Sequence, residues 1–109
     1  MIYLANALSL NMFNHLTKPF KLNIKPMSQT ETSNILKSTK FTSAIGHADM
    51  ANVLTNLLGV SIEPNRITLN INSGDTLIVA QYIGPRLPEG TTELPANAEI
   101  KFYYITIEA

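Results

Sequence analysis

His47 is the residue with the most to offer chemically. It closes the run Phe41-Thr42-Ser43-Ala44-Ile45-Gly46-His47 and stands directly before a stretch of helical periodicity. Imidazole is the side chain whose ordinary titration falls near neutral pH, so it can give a proton to a departing oxygen. A helix N-terminus beside it offers unpaired backbone N–H groups and the positive end of the dipole, which together hold an anion. Gly46 leaves out the side chain that would keep a phosphate away. The chain has only two arginines, in Pro64-Asn65-Arg66 and Pro85-Arg86-Leu87, each beside a turn or loop. The guanidinium fork donates two hydrogen bonds to phosphate at once and stays charged. Such a set suits metal-free cleavage of an RNA-type phosphodiester, with the substrate's own 2′-hydroxyl as nucleophile. Protonation of the leaving oxygen would contribute roughly a hundred- to ten-thousand-fold in rate. Arginines and backbone N–H groups would stabilise the charge developing around phosphorus. The chain has no second good base, so orientation must supply much of the remainder.

Each of these residues also has an ordinary explanation. A lone histidine before a helix is a common N-terminal feature, and an exposed arginine usually meets only water. Asn6, Ser9 and Asn11 interrupt an otherwise apolar segment, as turn formers and caps do. His15 has no partner pattern. Other chemistries lack their residues: there is no cysteine, which excludes a disulfide scaffold, a thiol nucleophile and a Cys-type zinc site. No His-x-x-x-His, Asp-x-Asp or carboxylate cluster suggests a metal, so neither metal nor cofactor is expected. A glycine-rich phosphate loop and a serine nucleophile elbow are also missing. Net charge is zero, which argues against sequence-independent binding of bulk DNA or RNA. The opening residues lack a signal peptide's basic start, and no apolar run approaches a membrane span. The expectation is a cytoplasmic protein without a membrane partner.

The elements that must position His47 and the arginines can be read in turn. At 109 residues, 45% hydrophobic and 15% charged, the chain reads as one domain over 1–109, short enough that a dimer would help bury apolar surface. Ile2 to Ala7 reads as a strand buried on both faces. Pro19 to Pro26 alternates, with Phe20, Leu22 and Ile24 on one face and prolines at both ends, as an edge strand does. Ser28-Gln29-Thr30-Glu31 is a capping box for a short helix to about Ser38. After His47, residues Met50, Val53, Leu54, Leu57 and Leu58 follow the spacing of one buried helical face, and Gly59 ends it. Asp49 reads as an acid at the helix start. Arg66 to Asn72 alternates as a strand with Ile67, Leu69 and Ile71 inward, and Ser73-Gly74-Asp75 turns it into a hairpin. Its partner, Thr76 to Ile83, is nearly continuously apolar, which predicts a central strand. It runs into the Gly84–Gly90 loop, a candidate lid. Glu99 to Ile107 is a last strand rich in β-branched and aromatic residues. The expected fold is α/β: a single mixed sheet of about five strands, flanked by helices mainly on one face, in the order β, β, α, α, β, β, β.

Taken together, the motifs resemble a known family. Tyr3-Leu4-Ala5-Asn6-Ala7-Leu8-Ser9-Leu10-Asn11-Met12, the Phe41–His47 run, Asn65-Arg66 and Arg86-Leu87-Pro88-Glu89-Gly90 are similar, in order and over nearly the whole chain, to the viral anti-CRISPR ring nucleases. The resemblance implies a homodimeric, metal-independent enzyme that cuts cyclic tetra-adenylate, the second messenger of type III CRISPR defence, to linear di-adenylates. It implies His47 as general acid, with Arg86 and Glu89 beside it in catalysis. Asn6, Ser9, Gly46, Arg66 and Gln81 would bind substrate. Gln81 lies five residues before Arg86 rather than the family's four, which turns it to the other face of its strand unless a bulge absorbs the shift. A two-fold partner would match the ring's symmetry, doubling a single helix N-terminus and two arginines against four phosphates. The alternatives are a module that sequesters the same messenger without turnover, and an interaction domain with no nucleotide ligand.

Overall fold

Both helices form where caps and periodicity place them in the computed structural model, which describes residues 1–108. Helix α1, Gln29–Ser38, begins at Ser28, whose Oγ accepts the Glu31 N–H at 3.0 Å while Glu31 Oε1 accepts the Ser28 N–H at 3.2 Å. Two otherwise orphaned donors are thus satisfied reciprocally. Helix α2, Ala48–Leu58, ends at Gly59, whose φ of 68° is a left-handed conformation that glycine adopts without a Cβ penalty.

Five strands form one mixed sheet. In chain order they are β1 (Ile2–Ala5), β2 (Lys21–Met27), β3 (Thr42–Ser43), β4 (Thr76–Ile83) and β5 (Glu99–Glu108). Across the sheet the order is β2-β5-β4-β1-β3. Strand β1 is parallel to both its neighbours, β3 and β4, whereas β5 runs antiparallel to β4 and β2. The proline-flanked β2 lies at an edge and β4 at the centre, as expected.

The continuous apolarity of β4 follows from burial on both sides of the sheet. Ile78 and Ala80 face the helices and pack with Leu4, Leu36, Ile45, Leu54, Leu58 and Phe102. Leu77 and Val79 face the other way and pack with Ala5, Phe13, Leu69, Ile71 and Ile105. Among the described residues, no helix of more than one turn covers that second face. It is closed by a 3₁₀ turn, Leu10–Phe13, and by the extended chain around Leu69–Ile71.

That chain is where the expected topology fails. Arg66 to Asn72 joins no strand ladder; the Ile71 N–H donates instead to the Met12 carbonyl at 2.9 Å. Its alternation records burial of Leu69 and Ile71 against the sheet's face, while Ile67 remains 45% exposed. The turn after it does form, with the Asp75 N–H on the Asn72 carbonyl at 3.0 Å and Gly74 at φ 93°, but no hairpin results. The fifth strand is supplied by Thr42–Ser43, inside the run that leads to His47.

Because Ile71 is core and Ile67 is not, the two should respond differently to truncation. Ile71→Ala is expected to cost about 2–5 kcal/mol in urea denaturation, and Ile67→Ala to stay within about 0.5 kcal/mol of the parent. A paired amphipathic strand would instead make the two costs similar.

Candidate functional site

Three parallel strands end on the same side of the sheet. Asn6 follows β1, Gly46 and His47 follow β3, and the loop carrying Arg86 follows β4. Ligands of open α/β sheets bind outside such carboxyl ends. Here the ends border an open cleft of about 1210 Å³, lined by Asn6, Gly46, His47, Arg66, Arg86 and Glu89. Chain segments distant in sequence meet there because β1 is hydrogen-bonded on both edges.

The turn from β3 into α2 is held by a small clasp. Ser43 Oγ donates to the Glu63 carbonyl at 2.7 Å and accepts the Ile45 N–H at 3.2 Å. Asn65 Nδ2 donates to the Ser43 carbonyl at 2.8 Å, and the Asn65 N–H to the Ile45 carbonyl at 2.8 Å. Arg66 follows this clasp and lies against Gly46. A Cβ built on Gly46 would stand 3.5 Å from Arg66 Nε and 3.6 Å from its Cγ, ordinary van der Waals spacing, and the Gly46 φ is not left-handed. The fold itself therefore does not require glycine at this position.

His47 is the N-cap of α2, and its side chain is 68% exposed. Its Nδ1 accepts the Asp49 N–H at 3.3 Å, which assigns the proton of the neutral ring to Nε2. Asp49 Oδ2 lies 3.8 Å from the same Nδ1, so a doubly protonated ring would face a carboxylate on that side. In either state the Nε2–H has no hydrogen-bond acceptor among the described residues. Arg66 and Arg86 are exposed, and among the described residues neither has a carboxylate within ion-pair distance. An arginine that stabilises no ion pair is free to meet an anion.

The loop after β4 is seated, not loose. The Tyr82 hydroxyl donates to the Pro85 carbonyl, and Leu87 packs on the helix-side core. Gly84, with φ 155°, passes so close to Ala98 that a Cβ would stand 2.6 Å from the Ala98 Cβ. Pro88 to Thr91 form a turn closed by the Thr91 N–H on the Pro88 carbonyl at 3.1 Å, with Gly90 at φ 79° in the position that a type II turn gives to glycine. Glu89 stands at the tip of this turn.

Two of the expected site residues fall elsewhere. Ser9 caps the 3₁₀ turn, its Oγ accepting the Asn11 N–H at 3.2 Å, and does not line the cleft. Gln81 pairs with Lys101 in an unbroken β4–β5 register, so no bulge absorbs its one-residue offset. Alternation then puts it on the face of Leu77 and Val79, away from the cleft. Tyr82, one residue on, lines the cleft instead. Its parity with Ile78 and Ala80 was the available signal. Asp49 also lines the cleft, beyond its part at the helix start. His15 is remote, with its Nε2 2.8 Å from Asn72 Oδ1. Among the described residues no group of three or more His, Cys, Asp or Glu could hold a metal ion, and no helix is long and apolar enough to cross a membrane.

With this geometry in place, comparison with other proteins is informative. The sequence model of the STIV B116-like family matches residues 2–106. The chain is 32% identical to "Uncharacterized protein 26" of Sulfolobus islandicus filamentous virus (isolate Iceland/Hveragerdi), over 83% of this chain and 74% of that protein. It is 39% identical to "Uncharacterized protein ORF117" of Acidianus two-tailed virus, over 74% of each. The solved structure of B116 of Sulfolobus turreted icosahedral virus superposes with a TM-score of 0.78 at 25% identity, covering 96% of this chain and 97% of that one.

The two glycines that border the cleft should separate fold from ligand requirements. Gly46→Ala is expected to leave unfolding within about 0.5 kcal/mol of the parent. Gly84→Ala, which forces a Cβ into Ala98, should cost about 1–3 kcal/mol. Thermal denaturation of the two variants reads the difference directly.

Proposed function

The chain belongs to the STIV B116-like family, and from that premise we propose that it is a viral ring nuclease that cuts cyclic tetra-adenylate to linear di-adenylates without a metal. The observation that carries the reading is the convergence on one cleft of an uncommitted imidazole N–H with two arginines that have no acidic partner among the described residues. A fold-dispensable glycine beside Arg66 leaves room for a phosphate to approach the α2 N-terminus.

In this mechanism a ribose 2′-hydroxyl attacks the adjacent phosphorus and the P–O5′ bond breaks. A 2′,3′-cyclic phosphate and a free 5′-hydroxyl result. The Nε2–H of protonated His47 supplies the proton to the departing 5′-oxygen. Residue types alone offered no second good base, but Glu89 is the cleft carboxylate with neither a backbone nor an imidazole partner among the described residues, so it is available to accept the 2′-hydroxyl proton. Arg86 and Arg66 stabilise the charge on the non-bridging oxygens. Asn6, half-buried at the end of β1, offers an amide for a ribose or base.

A homodimer is part of the proposal. One cleft carries two arginines and one imidazole, whereas the ring has four equivalent phosphates. A two-fold axis through the ring would set two His47 side chains on opposite phosphodiesters and release two identical halves. Single-turnover assays in excess EDTA test this. Wild type should yield linear di-adenylates, and His47→Ala should cut roughly a hundred- to ten-thousand-fold more slowly while binding the ring within a few-fold of wild type. Equal cleavage by both proteins would remove His47 from the mechanism. Binding by both without cleavage would make the protein a sequestering module, and a titration without heat uptake would remove the nucleotide ligand altogether.

A further inference from the structure

Asp49 does more than an acid at a helix start needs to do. Such a residue acts on the helix dipole from solvent and requires no partner on another element. The Asp49 side chain is only 14% exposed, and its two oxygens are aimed at different segments. Oδ1 accepts the Gly90 N–H at 3.2 Å, a contact spanning 41 residues, and Oδ2 lies 3.8 Å from His47 Nδ1. Farther along the same helix, Asn56 Nδ2 donates to the Thr92 carbonyl. Positions 49 and 56 are two turns apart and share one helical face. The chain leaving the cleft loop is thus tied to α2 at two points, and the first tie is made by the residue that also faces the histidine.

We propose that Asp49 is a positioning residue. It clips the Pro88–Thr91 turn to the start of α2 and thereby fixes Glu89 and His47 relative to each other across the cleft. Gly90 fits this assignment: its N–H follows directly after Glu89, and its φ of 79° turns the peptide that Asp49 receives. Nothing lies within 4 Å of a Cβ built there, so the glycine serves the turn and not a packing contact. On the histidine side, the Asp49 N–H on Nδ1 turns that nitrogen back toward the helix and leaves Nε2 for the cleft, and in the doubly protonated ring Oδ2, 3.8 Å away, faces the Nδ1–H. One residue, through its carboxylate and its backbone N–H, therefore bears on both ends of the proton path. The proposal deepens the ring nuclease reading, and its kinetic arm rests on that reading.

Two variants separate the latch from the charge. Asp49→Asn retains an oxygen that can accept the Gly90 N–H, whereas Asp49→Ala does not, and both lose the same helix-start charge. In amide hydrogen exchange followed by NMR, Gly90 should exchange at least about tenfold faster in Asp49→Ala and stay near the wild-type rate in Asp49→Asn. The imidazole ¹⁵N shifts of His47 should move in both variants. With cyclic tetra-adenylate as probe, Asp49→Ala should lose about a hundredfold in kcat, as a misplaced reacting group does, and raise KM; Asp49→Asn should lose less kcat and keep KM. Equal Gly90 exchange in wild type and Asp49→Ala overturns the latch, as does an equal effect of the two substitutions. Freed Gly90 with unchanged kcat and KM overturns the positioning role. If wild type does not cut the ring, the ring nuclease reading falls, and the exchange and ¹⁵N measurements still decide the latch.

Discussion

Parallel pairing of β1 with both β3 and β4 is the constraint from which the rest of the molecule follows. A parallel pair cannot be closed by a tight hairpin, so the chain must leave the sheet and cross over before it can return. Here the crossover from β3 to β4 contains α2, and it covers the face on which Ile78 and Ala80 are buried. The same pairing points three strand ends in one direction. Strand β1 is four residues long, with Leu4 and Ala5 buried and hydrogen bonds on both edges. So short a strand is stable only because each side of it is occupied. Its carboxyl end, at Asn6, is consequently the fixed floor of the cleft.

The turn beside that floor is held by hydrogen bonds between two polar side chains and backbone groups. The Ser43–Asn65 clasp satisfies carbonyls and N–H groups where β3 ends after only two residues. A strand so short has little ladder of its own, and each intramolecular bond contributes about 0.5–1.5 kcal/mol. Set against the cost of leaving such buried groups unpaired, the clasp is what makes the abrupt change from strand to helix possible. Arg66 then emerges beside Gly46 because Asn65 is pinned, and Arg86 emerges opposite because Gly84 can pass Ala98 without a Cβ. Among the described residues neither arginine is drawn to a carboxylate, in a chain whose acidic and basic residues balance.

The readable parts of the sequence were those in which local chemistry and burial agree. Ser28 with Glu31, Gly59, the face of α2 and the two-sided apolarity of β4 each carry their cause within a few residues. Arg66 to Asn72 did not, because alternation reports which side chains are buried and is silent about what buries them. Leu69 and Ile71 satisfy the period-two pattern by lying on the sheet's face, a contact that no short window distinguishes from membership of the sheet. Strand β3 was hidden for the opposite reason. Two residues have no period, and Thr42–Ser43 pair only because β1, nearly forty positions earlier, presents an open edge. At the cleft, residue types pointed to His47, Gly46, Arg66 and Arg86, and the family resemblance added Glu89; all five line it. Ser9 and Gln81 were indistinguishable from them until a cap and a strand register fixed their directions.

The charge pattern of the cleft bears on what size of ligand it can favour. A carboxylate at position 49 opposes any phosphate placed on the α2 N-terminus, at about 1 kcal/mol for unit charges 4 Å apart in water and more where water is excluded. The Gly90 N–H offsets part of that repulsion by engaging Oδ1, and a doubly protonated His47 ring adds to this at Oδ2. They do not reverse it, so the helix N-terminus alone is a modest anion site. Attraction comes from Arg66, which lies against Gly46, and from Arg86 on the loop after β4, neither of which has a competing acid partner among the described residues. A single phosphate exploits both arginines and the helix end at once only if they converge on one point, and a cleft of about 1210 Å³ has room for a larger ligand. It exceeds the roughly 300–1,000 Å³ usual for small-molecule sites. A cleft of that size has room for a ligand with more than one anionic group, the kind of ligand that the proposed ring nuclease activity requires.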